Sequence, residues 1–144
     1  MSAVVVRSIE QLCTLDHHDD PSVIAAWTAN KTPAQMAAML VAPSNRMFVA
    51  VRDERIVGVG CVIGSDQVGL NYVDPDHRLA GISRALLRAM ESAMRDSASA
   101  VGYLESTETA LSFYRSAGWE DARAPRKSGL LTSWPMRKDL RTTA

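Results

Sequence analysis

Leu70-Asn71-Tyr72-Val73-Asp74-Pro75-Asp76-His77-Arg78-Leu79-Ala80-Gly81-Ile82-Ser83-Arg84-Ala85-Leu86-Leu87-Arg88 is the stretch that decides the fold. A short apolar strand over 68–73 is predicted to stop at Asp74-Pro75, because proline has no N–H to give a sheet ladder. After a turn, apolar residues recur at Leu79, Ile82, Leu86, Met90 and Ala93, the spacing of one helix face. The reading is strand, loop, helix, with Arg78, Ala80, Gly81 and Ser83 at the junction. A helix start leaves backbone N–H groups unpaired at the positive end of its dipole, which suits a phosphate. Gly81 would let a ligand approach the backbone closely, and Arg78 adds a fixed positive charge. A phosphate-bearing ligand is therefore expected here.

On the N-terminal side, residues 47–52 and 56–63 read as two strands joined by the polar hairpin loop Asp53-Glu54-Arg55. Gly58 and Gly60 share one face of the second strand, where another backbone or a bulky side chain should pack. Gly64-Ser65-Asp66-Gln67 turns the chain into 68–73. Further back, Thr32-Pro33-Ala34-Gln35 is a helix start, with a capping Thr, Pro at the first helical position and Gln three residues on. Met36, Met39 and Leu40 form that helix's apolar stripe, and 22–30 reads as another helix carrying Val23, Ile24 and Trp27. Ala3 to Arg7 is short and β-branched and is read as a first strand, with Ser8 capping a short helix over 9–13.

On the C-terminal side, the long helix should end near 96–99 and a strand should cover 100–105. Ser106 and Thr107 read as caps of a helix over 108–117, which Gly118 stops. A basic loop at 124–129 precedes a last strand over 130–137, where Pro135 suggests a sheet edge. No repeat, low-complexity tract or linker divides the chain, so residues 1–144 are read as one domain.

Composition narrows the function. Lys+Arg and Asp+Glu number 16 each, for a formal charge of +0, which gives no electrostatic support to a nucleic-acid or membrane-surface role. Cys13 and Cys61 lie far apart without metal-ligand spacing and read as free thiols in a reducing compartment. His17-His18-Asp19-Asp20-Pro21 has metal-ligand residue types, yet no third ligand cluster exists, so it reads as a solvated loop. The start of the chain lacks the pattern of a signal peptide, and no segment reaches the roughly 20 apolar residues of a membrane span. A cytoplasmic protein without metal is expected.

Arg78-Leu79-Ala80-Gly81-Ile82-Ser83 resembles the acyl-CoA signature of the GNAT superfamily of N-acetyltransferases. In that pattern Gln or Arg, two residues, Gly, one residue, then Gly or Ala cradle a pyrophosphate; Ser83 is the one departure. About 25 residues on, Thr107-Glu108-Thr109-Ala110-Leu111-Ser112-Phe113-Tyr114-Arg115-Ser116-Ala117-Gly118-Trp119 resembles the second GNAT signature. Ala110, Phe113, Tyr114, Gly118 and Trp119 match it, and Thr107 stands where the pattern has an Asn that contacts the pantetheine arm. The resemblance implies an α/β (α+β) fold: a mixed, mostly antiparallel sheet of about six to seven strands flanked by about four helices.

It also implies a reaction, the attack of an amine on the thioester of acetyl-CoA as co-substrate. Tyr114 is the candidate general acid, a phenol that stays protonated at neutral pH. The oxyanion donor would be a backbone N–H near Tyr72 or Val73, where relatives splay two strands apart. Tyr72, Val73, Arg78, Leu79, Ala80, Gly81, Ile82, Ser83, Arg84 and Thr107 are the candidate cofactor contacts, with Arg84 and Arg88 facing the ribose phosphate. The base stays open: Asn71 cannot accept a proton, and Glu105, Asp66 or a water chain could. The acceptor would be a primary amine of a small molecule or peptide. The segment between the first two strands would wall its site, and the last strands would be where a homodimer forms. Two rival readings remain, a CoA-responsive binding module without turnover and, lower, a nucleotide-binding domain, which lacks its GxxxxGK[ST] or GxGxxG run.

Overall fold

Four helices open the chain of the computed structural model, which describes residues 1–141: α1 (Ser2–Leu12), α2 (Thr14–His17), α3 (Pro21–Thr28) and α4 (Pro33–Val41). Strands β1 (Asn45–Arg52), β2 (Arg55–Ile63) and β3 (Gln67–Val73) follow. A 3₁₀ turn (Pro75–His77) leads to α5 (Ile82–Asp96), then β4 (Val101–Ser106) and α6 (Leu111–Ser116). Strands β5 (Glu120–Asp121), β6 (Arg126–Ser128) and β7 (Leu131–Asp139) complete a seven-stranded sheet of order β1-β2-β3-β4-β7-β5, with β6 on β7. Among the described residues only β3 and β4 pair in parallel. This is the mixed, mostly antiparallel class expected. No helix among the described residues is long and apolar enough to cross a membrane.

The first strand expected over 3–7 is instead part of α1. Val4, Val5, Ser8 and Ile9 are its buried residues, the spacing of a helix face rather than the alternation of a strand. A β-branched run that short satisfies either period, and packing against the sheet decides it. Ser8 is therefore an interior helical residue, 3% exposed, and not a cap. Thr32 caps α4 as expected, its side chain accepting the Gln35 N–H. The β1–β2 hairpin turns on Asp53 and Glu54, both left-handed (φ 50 and 64), a turn whose twist matches that of the strands.

Helix α5 lies where Gly58 and Gly60 left room. A Cβ on Gly58 would stand 2.8 Å from Ile82 and 2.9 Å from Leu86, and one on Gly60 3.0 Å from Met90 Sδ. Ile82, Leu86 and Met90 are the predicted stripe and are buried. Leu79 is not part of it: the helix starts at Ile82, and Leu79 is 93% exposed at φ 62. Glu91, also on α5, is buried. Its carboxylate meets Lys138 Nζ at 2.8 Å and Trp119 Nε1 at 3.2 Å, tying α5 to β7 and to the turn after α6. Truncating Met90, fully buried under the sheet, should cost about 2–5 kcal/mol.

Pro135 does not mark an edge. Strand β7 lies between β4 and the short β5 and β6. Pro135 C=O accepts from Ala122 N–H, so its missing donor points the same way, away from β4. That side is where the ladder passes from β5, paired at 136–137, to β6, paired at 131–133.

Candidate active site

Strands β3 and β4 pair only at Gln67 with Tyr103 and Val68 with Leu104. Beyond that, β3 stays with β2 as far as Val73 and β4 stays with β7 as far as Ser106, so the two diverge. The gap opens into a cleft of about 580 Å³ between β3, the start of α5, β4, α6 and α1. Backbone parity assigns the free donors. Asp74 N–H donates to Val57 C=O at 2.7 Å, and antiparallel alternation then turns Tyr72 N–H toward β2 as well. The amides of Asn71 and Val73 face the gap.

At one end stands the N-terminus of α5. Gly81, at φ 77, provides no side-chain cap, and the first helical bond runs from Ala85 N–H to Gly81 C=O at 3.0 Å. The N–H groups of Ile82, Ser83 and Arg84 have no helical acceptor. Nothing lies within 4 Å of where a Gly81 Cβ would stand. Arg78, Leu79, Gly81, Ile82, Ser83 and Arg84 all line the cleft; Ala80 and Arg88 do not. Arg84 leans on α6, its Cζ 5.6 Å from the Phe113 ring centre and its Nη2 3.1 Å from Ser116 Oγ. The loop is braced from below. Asp74, nearly buried, accepts from Asp76 N–H at 2.9 Å and pairs with Arg7 of α1 at 2.9 Å.

Tyr114 forms part of the opposite wall. It is buried, in edge contact with Phe113 and Trp119. Burial pushes its phenol up to about 12, partly opposed by the amide of Asn71. Tyr72 also lines the cleft, and burial raises its phenol too, helped by Cys13 and opposed by the indole of Trp27. Cys13 is pushed up to about 12 by burial and then by Asp16. Glu105 lies on the rim, paired with Arg126 (Nε at 2.7 Å) and 3.3 Å from Ser133 Oγ. Asp66 is outside the lining.

The turn before α6 is shaped by two side chains. The helix starts at Leu111, later than expected, because residues 107–110 close on themselves: Thr107 Oγ1 accepts from Ala110 N–H at 3.2 Å. Asp16, from α2, accepts from Glu108 N–H at 2.7 Å, Thr109 N–H at 3.2 Å and Thr109 Oγ1 at 2.6 Å. That latch, ninety-odd positions away in sequence, had no signal in the sequence. Nor did the lining by Ser8, Leu12 and Cys13, since α1 was read as a strand and a short helix. His17 is not solvated: it is fully buried, with Nε2 2.8 Å from Ile9 C=O and Nδ1 accepting Asp19 N–H at 3.0 Å. That pattern makes the imidazole a cap of the end of α1. Among the described residues no group of three His, Cys, Asp or Glu is placed to hold a metal ion.

A comparison with protein-family profiles matches residues 14–140 to the acetyltransferase (GNAT) domain. Among solved structures, a GCN5-related N-acetyltransferase from Rhodopseudomonas palustris superposes with TM-score 0.85 at 23% identity, covering 96% of this chain and 86% of that one. The PaiA N-acetyltransferase of Thermoplasma acidophilum, in complex with coenzyme A, gives 0.76 at 14% identity over 96% and 92%. An aminoglycoside 6'-N-acetyltransferase complexed with coenzyme A gives 0.69 at 14% over 98% and 93%. A search of the curated proteins returns no match. The chain belongs to the GNAT acetyltransferase family and is an acyltransferase.

Proposed function

We propose that the protein transfers an acetyl group from acetyl-CoA to a primary amine of a small molecule or peptide. The observation that carries this reading is the gap between β3 and β4, with an uncapped helix N-terminus at one end and Tyr114 on its wall. The residues fit the co-substrate: three unpaired N–H groups with Arg78 and Arg84 suit a pyrophosphate, and the open position over Gly81 keeps a side chain from filling that seat. Thr107 and the edge of β3 would hold the pantetheine arm. Acetyl-CoA supplies the activated thioester.

Val73 N–H, turned into the gap, is the proposed donor to the carbonyl oxygen, where a fixed backbone dipole needs no reorganisation as charge grows. Tyr114, held protonated by burial, is the proposed donor of a proton to the departing sulfur. Glu105 is the proposed proton acceptor for the amine. Its carboxylate is paired with Arg126, and an amine of low basicity such as a peptide N-terminus, whose pKa is about 8, asks least of a proton acceptor. The same ion pair favours a second reading, a CoA-binding module that does not turn over.

Thiol release from acetyl-CoA with benzylamine, kanamycin, spermidine and a glycyl-phenylalanine peptide separates them. The enzyme reading expects release with at least one amine, and a fall of about 100-fold in kcat for Tyr114→Phe. Stabilisation by acetyl-CoA without thiol release from any of the four would support the binding module.

A further inference from the structure

The turn over 107–110, between β4 and α6, has open space on two sides. Thr107, Thr109 and Ala110 line the cleft, while Glu108 lines a second cavity of about 260 Å³ beside α2. With little packed against it there, the turn depends on acceptors for its amides. Asp16, on the wall of the second cavity, supplies them. It accepts from Glu108 N–H at 2.7 Å, from Thr109 N–H at 3.2 Å and from Thr109 Oγ1 at 2.6 Å. Bonds to a carboxylate are stronger than neutral ones, and three on one side chain fix the turn in direction as well as distance.

Thr107 is left with one group to offer. Its Oγ1 accepts from Ala110 N–H at 3.2 Å, and its C=O accepts from Ser106 Oγ at 2.7 Å. A hydroxyl carries a single hydrogen, and one that accepts from an amide must send that hydrogen elsewhere. Among the described residues nothing accepts it, and Thr107 lines the cleft.

We infer that Asp16 is a positioning residue for the arm of acyl-CoA: by fixing the turn it holds the Thr107 hydroxyl at the cleft, as a donor to an amide carbonyl of that arm. Asp16 does not itself line the cleft, so it acts through the turn and not by contact. Its helix follows directly on the segment that carries Ser8, Leu12 and Cys13, which do line the cleft. The latch therefore ties two walls of the cleft together. The inference rests on the reading above, in which the pantetheine arm runs along Thr107.

The test compares binding of CoA with that of 3′-phosphoadenosine 5′-diphosphate, its headgroup without the arm. Calorimetry is run on the native protein, Asp16→Ala, Asp16→Asn, Thr107→Val and the double variant of Asp16→Ala with Thr107→Val. Asp16→Ala should weaken CoA about tenfold, the worth of one well-placed hydrogen bond, and leave the headgroup within about twofold. Thr107→Val should do the same, and the double variant should bind CoA no more weakly than the weaker single one. Asp16→Asn keeps one oxygen for the amides and should fall between native and Asp16→Ala; it also carries the test if Asp16→Ala fails to fold. Native affinity for CoA in Asp16→Ala, or equal losses for CoA and headgroup, would overturn the inference. So would losses that multiply in the double variant, since Asp16 would then act apart from Thr107. A native protein that binds CoA no tighter than the headgroup would remove the arm's seat at Thr107, and the inference with it. Binding of neither would instead overturn the proposed function on which the inference rests.

Discussion

Arg7 Nη1 lies 2.9 Å from Asp74 Oδ2, and this pair joins α1, one wall of the cleft, to the turn that delivers Arg78 and Gly81. The same guanidinium reaches Asp76 at 3.1 Å, and these two carboxylates, Asp76 foremost, hold it more firmly protonated. Asp74 is nearly buried and Arg7 is not, so the pair acts less as a source of stability than as a brace. Arg7→Met keeps the apolar stem and removes the brace. It should raise KM for acetyl-CoA by about three- to tenfold with kcat preserved, as expected for lost ground-state binding. A fall in kcat at unchanged KM would contradict this role.

Leu79 is strained in the loop before α5. It adopts φ 62 with 93% of its surface exposed, so no packing offsets the left-handed backbone. Asn tolerates that region better than a branched apolar residue. Leu79→Asn should raise stability by about 0.5 kcal/mol, read as a higher urea midpoint at constant slope. A lowered midpoint would mean that the exposed side chain has a partner in the folded protein.

Stability should fall in alkali. The thiol of Cys13 rises from 9.0 to about 12 on folding, and the phenol of Tyr114 from 10.0 to about 12. Groups whose folded values are raised contribute stability in full below the unfolded values, and lose it as pH climbs toward the folded ones. Urea unfolding should therefore be level to about pH 9 and then weaken by about 1.4 kcal/mol per pH unit for each group engaged. Cys13→Ala should make the fall between about pH 9 and 10 shallower without abolishing it, because burial also raises the Cys61 thiol. The same slope in wild type and variant would contradict the burial of that thiol.

Much of the chain was legible because local and tertiary signals agreed. Gly58 and Gly60 on one face of β2 announced the helix that crosses them, and Ile82, Leu86 and Met90 supplied its matching stripe. Thr32-Pro33 and Gly118 fixed helix ends by backbone chemistry that needs no tertiary partner. Val4 to Val6 misled because a β-branched run has no period of its own, and only the sheet beneath it makes a helix the better burial. Pro135 misled for a related reason: a missing N–H marks one side of a strand, and the sequence does not say which neighbour lies there. In the cleft, the residues at the start of α5 could be read from one loop. Asp16 and Arg7 could not, since each acts on a partner 67 or more positions away.

The most direct test of the central claim is thermal unfolding with and without acetyl-CoA, on the native protein, Gly81→Ala and Gly81→Glu. Position 81 has open space above it but a left-handed backbone, so both variants carry the strain and only the second carries charge into the cradle. At 100 times its dissociation constant, acetyl-CoA should add about 2.7 kcal/mol of stability to the native protein. Gly81→Ala should keep a measurable part of that gain and Gly81→Glu should lose it. Equal stabilisation of all three, or of none, would contradict a phosphate seat at the start of α5.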